Sequence, residues 1–473
     1  MQVERQLNNL LNDLESVSLE AFLMLGAIAV LLVGLFTKRS LIIKSIFFVV
    51  IVFGMSVNLL FSRSGDLMLG SLYISENSTL FSSLFLLACL SLLVFERKDT
   101  HACEFYFMII ALLLGSIFMM EANNLLIVFL AVELASFSSY VLTNFDFKKS
   151  SYEAGIKYLL FGAICSAFML FGIAFLYGSS GSIYFHEWGT DFSDAFLFQV
   201  GSLLFLIGLF FKISLAPFHI WVPSTYQTAP ADAVAVLSIL PKIAGIVLLQ
   251  RFLISSAMLD LSWLFDCLCV LGMLTIVIGT VGAFRQSNVR RMIGFGAIAH
   301  SGFMLPFALL RSESSAEAFW WYGATYTLMN LLVFYLLHLF ESKNSYESNA
   351  YQTKDYTMAT AITIVMISLV GIPPLAGFTA KFFLFNVLWE NYQLLQQEIL
   401  LYFLLVAVLL TVGSLFYYLR VPANIFLKKP ENPVSFSFKN RLIASFLSVV
   451  LLILFFVPDL LFSLKTFLLQ RYE

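Results

Sequence analysis

Uncharged runs of about 20 apolar residues, separated by short polar stretches, recur along the chain from Ser18 to Leu464. Each is long enough to cross a bilayer core as a helix. The strands of a membrane barrel would instead alternate apolar and polar positions. Fourteen such spans fall at roughly 18–37, 41–62, 78–95, 104–120, 124–145, 152–177, 195–216, 231–253, 261–284, 289–310, 316–340, 357–388, 397–419 and 440–464. The first, Leu19–Phe36, has a plain lipid-facing composition. The sixth opens SSYEAGIKY, which offers Ser150 or Ser151 as N-cap. The seventh runs into FFKISLAPFHIWVPSTYQTAP, Phe210–Pro230. Proline lacks an N–H and its ring clashes with the carbonyl one turn back, so the helix is predicted to break between Ile213 and Pro217. The twelfth is too long for one straight helix. GIPPLAGFTAKFF in its middle places a second break at Pro373 and Pro374, with Lys381 just after it.

Composition agrees. The 473 residues are 60% hydrophobic and 12% charged, with a mean hydropathy of +0.90. A soluble interior of this size cannot hide so much apolar surface. The reading is therefore an all-α, multi-pass integral membrane protein embedded in a lipid bilayer. A net charge of −2 says little about partners, and no long basic face for nucleic acid is present, so none is expected as a partner. The five cysteines, Cys89, Cys103, Cys165, Cys267 and Cys269, make no CxxC or other metal-like spacing, and most fall in spans, where a free cysteine acts as a small apolar residue. No Walker sequence, no GxGxxG between strand and helix and no CxxCxxC run is present. A polyprenyl transferase would need aspartate-rich loops, which are also missing. The N-terminal MQVERQLNNLLNDLESVSLEAF has no basic n-region or cleavage site, so no removable signal is expected.

Charge placement orients the spans. The loops joining spans 1–2, 3–4, 5–6, 9–10, 11–12 and 13–14 hold 17 of the 27 Lys and Arg, from Lys38 to Arg441, and include Arg290 and Lys428. The other side holds six: Arg5, Arg63, Arg251, Arg311, Lys465 and Arg471. The positive-inside rule then puts both termini outside, in the periplasm of a cell with an inner (plasma) membrane. The remaining four cations, Lys157, Lys212, Lys242 and Lys381, all lie within spans. An ammonium at the bilayer centre costs about 2.5–3.5 kcal/mol, so functional partners are expected. Glu133, in LAVELASFSSY, is the one carboxylate read as deep in a span. Asp232, Asp266, Glu121 and Glu153 sit near span ends, where water is in reach. Lys157 follows Glu153 by one turn and can be read as a snorkelling residue at a helix end. That reading suits Lys212, Lys242 and Lys381 poorly, since each adjoins a proline break or lies deep in apolar sequence.

A lysine–carboxylate pair in a low-dielectric setting is a proton switch. At about 4 Å and an effective dielectric of 20 the attraction is about 4 kcal/mol, roughly three pKa units. With Glu133 near Lys212 the ammonium is held charged, and separating them leaves desolvation to favour proton release. Lys242, just after Pro241, is the next candidate station and Lys381 the last, with His300 between. His300, twelve residues into its span, can equally be a hydrogen-bonded structural histidine. His219 stands beside the first break, where water can enter. His101, His186 and His338 read as solvated or interfacial. The two proline-broken spans lie five helices apart, the mark of inverted transporter repeats. The repeats are placed at 104–253 (spans 4–8) and 254–420 (spans 9–13), after spans 1–3 in 1–103 and before a loop and last helix in 421–473.

The motifs VELASFSSYVL, SYEAGIKYLLFGA, FKISLAPFHIWVPSTYQTAPADAVAVLSILPKIAG, NVRRMIGFGAIAHSGFM and GIPPLAGFTAKFF together resemble the antiporter-like membrane subunits of respiratory complex I, the NADH-quinone oxidoreductase. The resemblance covers most of the chain and is strongest from Asn124 to Lys381. It implies fourteen helices, two inverted five-helix repeats and a central polar axis. It matches Glu133, Lys157, Lys212, Lys242 and Lys381 to the family's proton-transfer residues, and His219 and His300 to family histidines. One subunit type has glutamate where Lys381 stands, and another adds a long lateral helix beyond the point where this chain stops. PKIAG and the short N-terminus favour the third type. By the same resemblance the chain holds no redox cofactor. NADH, FMN, iron–sulfur clusters and quinone belong to partner subunits, membrane and peripheral, and the carried species is the proton. The alternatives are a subunit of a multisubunit sodium/proton antiporter or of a membrane-bound hydrogenase, and a scaffold whose polar axis no longer conducts, against which the full set of four lysines argues.

Overall fold

The computed structural model describes residues 17–37, 39–61, 65–68, 70–97, 101–188, 195–341, 353, 355–427 and 436–469. The N-terminal stretch read for a signal, and nine of the counted cations (Arg5, Lys38, Arg63, Lys98, Lys343, Lys354, Lys428, Lys429 and Arg471), lie outside the described residues. The chain divides into two units: Met1–Ile213 with Leu240–Leu261 and Lys465–Glu473, and Ser214–Ile239 with Ser262–Leu464.

The first unit holds helices α1 (Ser18–Phe36), α2 (Ser40–Phe61), α3 (Glu76–Ser91), α4 (Ala102–Glu121), α5 (Leu125–Thr143), α6 (Lys149–Ser180) and α7 (Phe196–Ile213). The second unit begins with the short α8 (Trp221–Thr228) and α9 (Ala231–Leu237), after which α10 (Leu240–Ser255) returns to the first. It continues with α11 (Ser262–Phe284), α12 (Val289–Leu309), α13 (Glu313–Glu341), α14 (Tyr356–Val370), α15 (Ala376–Leu395), α16 (Glu398–Tyr418), α17 (Arg420–Leu427) and α18 (Phe438–Phe456), and α19 (Asp459–Leu469) closes the described chain. Among the described residues, 13 helical stretches are long and apolar enough to cross a membrane. The fourteenth expected span, the twelfth in order, is divided into α14 and α15 at Gly371–Leu375.

Local chemistry sets several boundaries. Asn124 caps α5 by accepting the Leu126 N–H at 2.8 Å, and Asp355 caps α14 through Thr357. Neither Ser150 nor Ser151 is the N-cap of α6. Lys148 is, and Ser151 Oγ accepts its N–H at 3.2 Å, because the helix starts one turn earlier than the apolar pattern. The eighth span is not continuous: a turn at Ser238–Ile239 separates α9 from α10 ahead of Pro241. The last is cut at Val457–Pro458 into α18 and α19. A two-stranded antiparallel hairpin, β1 (Gly65–Leu67) and β2 (Leu72–Ile74), lies between α2 and α3 in a loop that hydropathy leaves blank.

In a bilayer helices gain little from hydrophobic burial, so close van der Waals approach through small residues decides packing. On α6 and α7, Gly172 and Gly201 face each other so closely that a Cβ on Gly172 would lie 2.4 Å from the Phe205 nitrogen.

Candidate functional site

In the first unit α5 supplies two neighbouring polar groups. Glu133 and Ser136 are three residues apart and share a helix face. Glu133 Oε1 accepts a hydrogen bond from Ser166 on α6. Ser136 donates its hydroxyl to the Val132 carbonyl at 2.7 Å, leaving its lone pairs toward Lys212, whose Nζ donates to Ser136 Oγ at 3.1 Å. Lys212 is in the last turn of α7 and 1% exposed. The carboxylate of Glu133 acts on that ammonium through the field rather than by contact. Among the described residues no direct ion pair joins them, and Ser136 stands where a direct pair was expected. α7 stops at Ile213, and Ser214 follows with φ +70°, so the predicted break lies immediately after the lysine. Lys242, 1% exposed, is in the first turn of α10. That helix packs against the end of α7, where a Cβ on Gly245 would meet Ile213 Cγ1 at 2.6 Å.

In the second unit the break is also a lysine site. α14 ends at Val370, and Gly371 adopts φ +86° to leave the helix. The last carbonyls of a helix have no intrahelical donor and carry its negative partial charge. Lys381, from α15, reaches back to them: Nζ donates to Val370 O at 2.7 Å and lies 4.7 Å from the Phe303 ring centroid. It is 3% exposed. His300, buried on α12, hydrogen-bonds through Nδ1 to Tyr322 Oη at 2.7 Å and lies tilted 5.1 Å from the Tyr326 ring. His219, half-buried beside the first break, has no partner for Nδ1 among the described residues.

Lys157 does not join these groups. Its ammonium is exposed on α6 and bonded to Glu153 at 2.6 Å. Glu133, expected to be the one deep carboxylate, is only half-buried, whereas Glu20, Glu121 and Asp232 are buried. Position along a hydropathy run cannot report this, because neighbouring elements rather than depth cover Glu121 and Asp232. Arg290, counted as a loop cation, is also buried. It binds Glu341 through Nε at 2.6 Å, with a second contact to the other carboxylate oxygen, and it donates to the carbonyl of Ala229. The sequence reading also missed Ser136, Ser166 and Tyr322. The Glu133–Ser136 spacing was the available signal for the first.

The breaks of the two units share a design. A buried ammonium sits at an interrupted helix, with apolar surroundings on most sides and one or two oxygen acceptors. Irregular backbone at membrane depth survives only where protein or water satisfies it, and an ionisable group there is rare and pairs with backbone carbonyls or other polar groups. Among the described residues no cluster of metal ligands occurs. The chain matches the family described as NADH:quinone oxidoreductase/Mrp antiporter, TM, over residues 122–411. It is 32% identical over 391 residues to NADH-quinone oxidoreductase subunit N of Chlorobium chlorochromatii, covering 77% of this chain and 75% of that one. It is 36% identical over 343 residues to subunit N of Rubrobacter xylanophilus, covering 71% and 70%. A chain of respiratory complex I from Thermus thermophilus, solved with bound aureothin, superposes with a TM-score of 0.79 at 26% identity over 93% of this chain and 98% of that one. The span of the match contains Glu133, the breaks after Ile213 and Val370, and Lys212, Lys242 and Lys381, and the chain belongs to the NADH:quinone oxidoreductase/Mrp antiporter family of membrane subunits.

Proposed function

We propose that this chain is the N-type, proton-translocating membrane subunit of an NADH-quinone oxidoreductase. The observation that carries the reading is the set of three buried lysines, Lys212, Lys242 and Lys381, two of them seated at helix breaks. An ammonium buried at membrane depth is too costly to keep as scaffold. Glu133 sets the charge state of Lys212 through its field while Ser136 seats the ammonium: the carboxylate favours the ammonium, and its loss of influence frees the proton. Lys242 receives it at the start of α10. In the second unit His300 and Lys381 form the matching pair of stations, and His219 offers a proton-accepting ring nitrogen at the first break. Lys157, exposed with Glu153, joins only where a neighbouring subunit covers that face of α6. The segments 104–253 and 254–420 act as inverted halves, with 1–103 and 421–473 flanking them. Electron transfer from NADH to quinone, with FMN and iron–sulfur clusters, takes place in partner subunits, and this chain is the translocase part. It works in the inner membrane with both termini in the periplasm.

The test is a double-mutant cycle on the assembled complex. Glu133→Ala and Lys212→Ala should each sharply reduce proton pumping driven by quinone reduction. NADH oxidation by the peripheral arm with an artificial acceptor should persist. The double variant should be little worse than either single one, because residues acting as a unit are non-additive. Glu133→Asp keeps the charge and should be milder. Normal pumping in an assembled Glu133→Ala complex would overturn the reading.

A further inference from the structure

A second set of buried ionisable groups lies in the first unit, apart from Lys212 and Lys242. Glu20 is in the first turn of α1 and Glu121 is the last residue of α4, and each is 2% exposed. Their carboxyls are close enough to act on each other. Two carboxylates offer only acceptors, so they can bond to each other only with a proton on one of them. Like charges buried in one site cannot both stay ionised, and the proton belongs to the pair rather than to either residue. Glu20 Oε2 and Glu121 Oε2 are buried with no partner among the described residues. Neither oxygen is occupied by a structural hydrogen bond that would fix the proton in place.

The positive group facing the pair is Arg251, near the end of α10, which interacts electrostatically with Glu121. Its guanidinium is held by the Met120 carbonyl at 2.6 Å and by Asn123 Oδ1 at 3.4 Å, and it lies over the Tyr73 ring. Asp66 on the hairpin also acts on it, and His186 Nδ1 lies 3.5 Å from Asn123 Nδ2. Arg251 is nine residues beyond Lys242 on the same helix, about 14 Å at the helical rise. The pair therefore stands toward the end of the unit where the hairpin lies, well removed from the buried lysine of α10. We propose that Glu20 and Glu121 form a second proton-binding site, one exchangeable proton shared between the two carboxyls, with Arg251 as its fixed counter-charge. Its role as a release station toward the hairpin side rests on the proposed function.

The experiment uses infrared difference spectra of the assembled complex in membranes, in H2O and D2O. The wild type should show a protonated-carboxyl C=O band that shifts in D2O. Glu20→Gln and Glu121→Gln should each abolish that same band. Glu20→Asp, which keeps the acid, should shift the band without abolishing it, and it carries the test if the amide variants fail to assemble. A band that survives either amide variant, that ignores D2O, or that does not respond to Glu20→Asp overturns the site. Pumping measured on the same variants reports separately on the role. Loss of the band with unchanged pumping would strike the release station, while leaving Lys212, Lys242 and Lys381 to their own test.

Discussion

Gly371→Ala probes the second break without touching a charged residue. At φ +86° an L-residue with a Cβ pays the left-handed penalty, about 1–2 kcal/mol. The new Cβ would also lie 2.9 Å from Lys381 Cδ and 3.5 Å from Cε. The lysine stem must move, and its Nζ then leaves the Val370 carbonyl, now 2.7 Å away. A hydrogen bond to a charged group contributes about 1.5–3 kcal/mol. At about 1.4 kcal/mol per tenfold, that is roughly a ten- to hundredfold shift away from the seated ammonium. Pumping in inverted vesicles should fall markedly, with NADH oxidation by an artificial acceptor unchanged and the complex assembled on native gels. Gly371→Asn separates the two causes. Asparagine tolerates the left-handed region but brings the same Cβ, so it should relieve the strain and still displace Lys381. If Asn restores pumping while Ala does not, backbone strain and not the lysine seat is responsible. If assembled Gly371→Ala pumps normally, the seat of Lys381 at the end of α14 has no functional weight.

Three further outcomes are expected. Arg290→Ala takes from the Glu341 carboxylate the guanidinium that binds both of its oxygens and should cost about 3–5 kcal/mol, read as a lowered denaturation midpoint of the purified complex; Glu341→Ala should cost a similar amount and the double variant less than the sum. Ser136→Ala removes the hydroxyl that accepts from Lys212 Nζ, a loss of about 1–3 kcal/mol, and should reduce pumping less than Lys212→Ala does; equal pumping to wild type would show that Glu133 acts without it. A cysteine at Arg285, in the turn between α11 and α12, should react with an impermeant thiol reagent only from the cytoplasmic side, and one at Arg311 only from the periplasmic side; the reverse pattern would invert the topology.

Much of the candidate site was legible in the chain because proline and lysine are costly in a membrane helix. The breaks after Ile213 and Val370 follow from Pro217, Pro373 and Pro374. The burial of Lys212, Lys242 and Lys381 follows from the apolar runs around them. What each lysine touches was not legible. A helix-face argument links Glu133 to Ser136, but nothing in the sequence says that α7 brings Lys212 to Ser136 while Ser166 of α6 takes Glu133. Nor does it say that Lys381 turns back to the Val370 carbonyl.

The sequence by itself therefore determined the apolar spans and the two interruptions at Pro217 and at Pro373–Pro374, since bilayer thickness and backbone satisfaction act on local sequence, whereas the breaks at Ser238–Ile239 and Val457–Pro458 emerge only in the fold. Only the tertiary structure decided which charges meet. Arg290 is a loop cation by sequence and a buried partner of Glu341 in space. Glu121 ends its helix, as a water-reaching residue would, yet it is buried against Glu20, 101 positions earlier in the chain. Such pairings join distant segments. Their stability depends on the local dielectric and on the remaining hydrogen bonds at the site, and those exist only once the helices have packed.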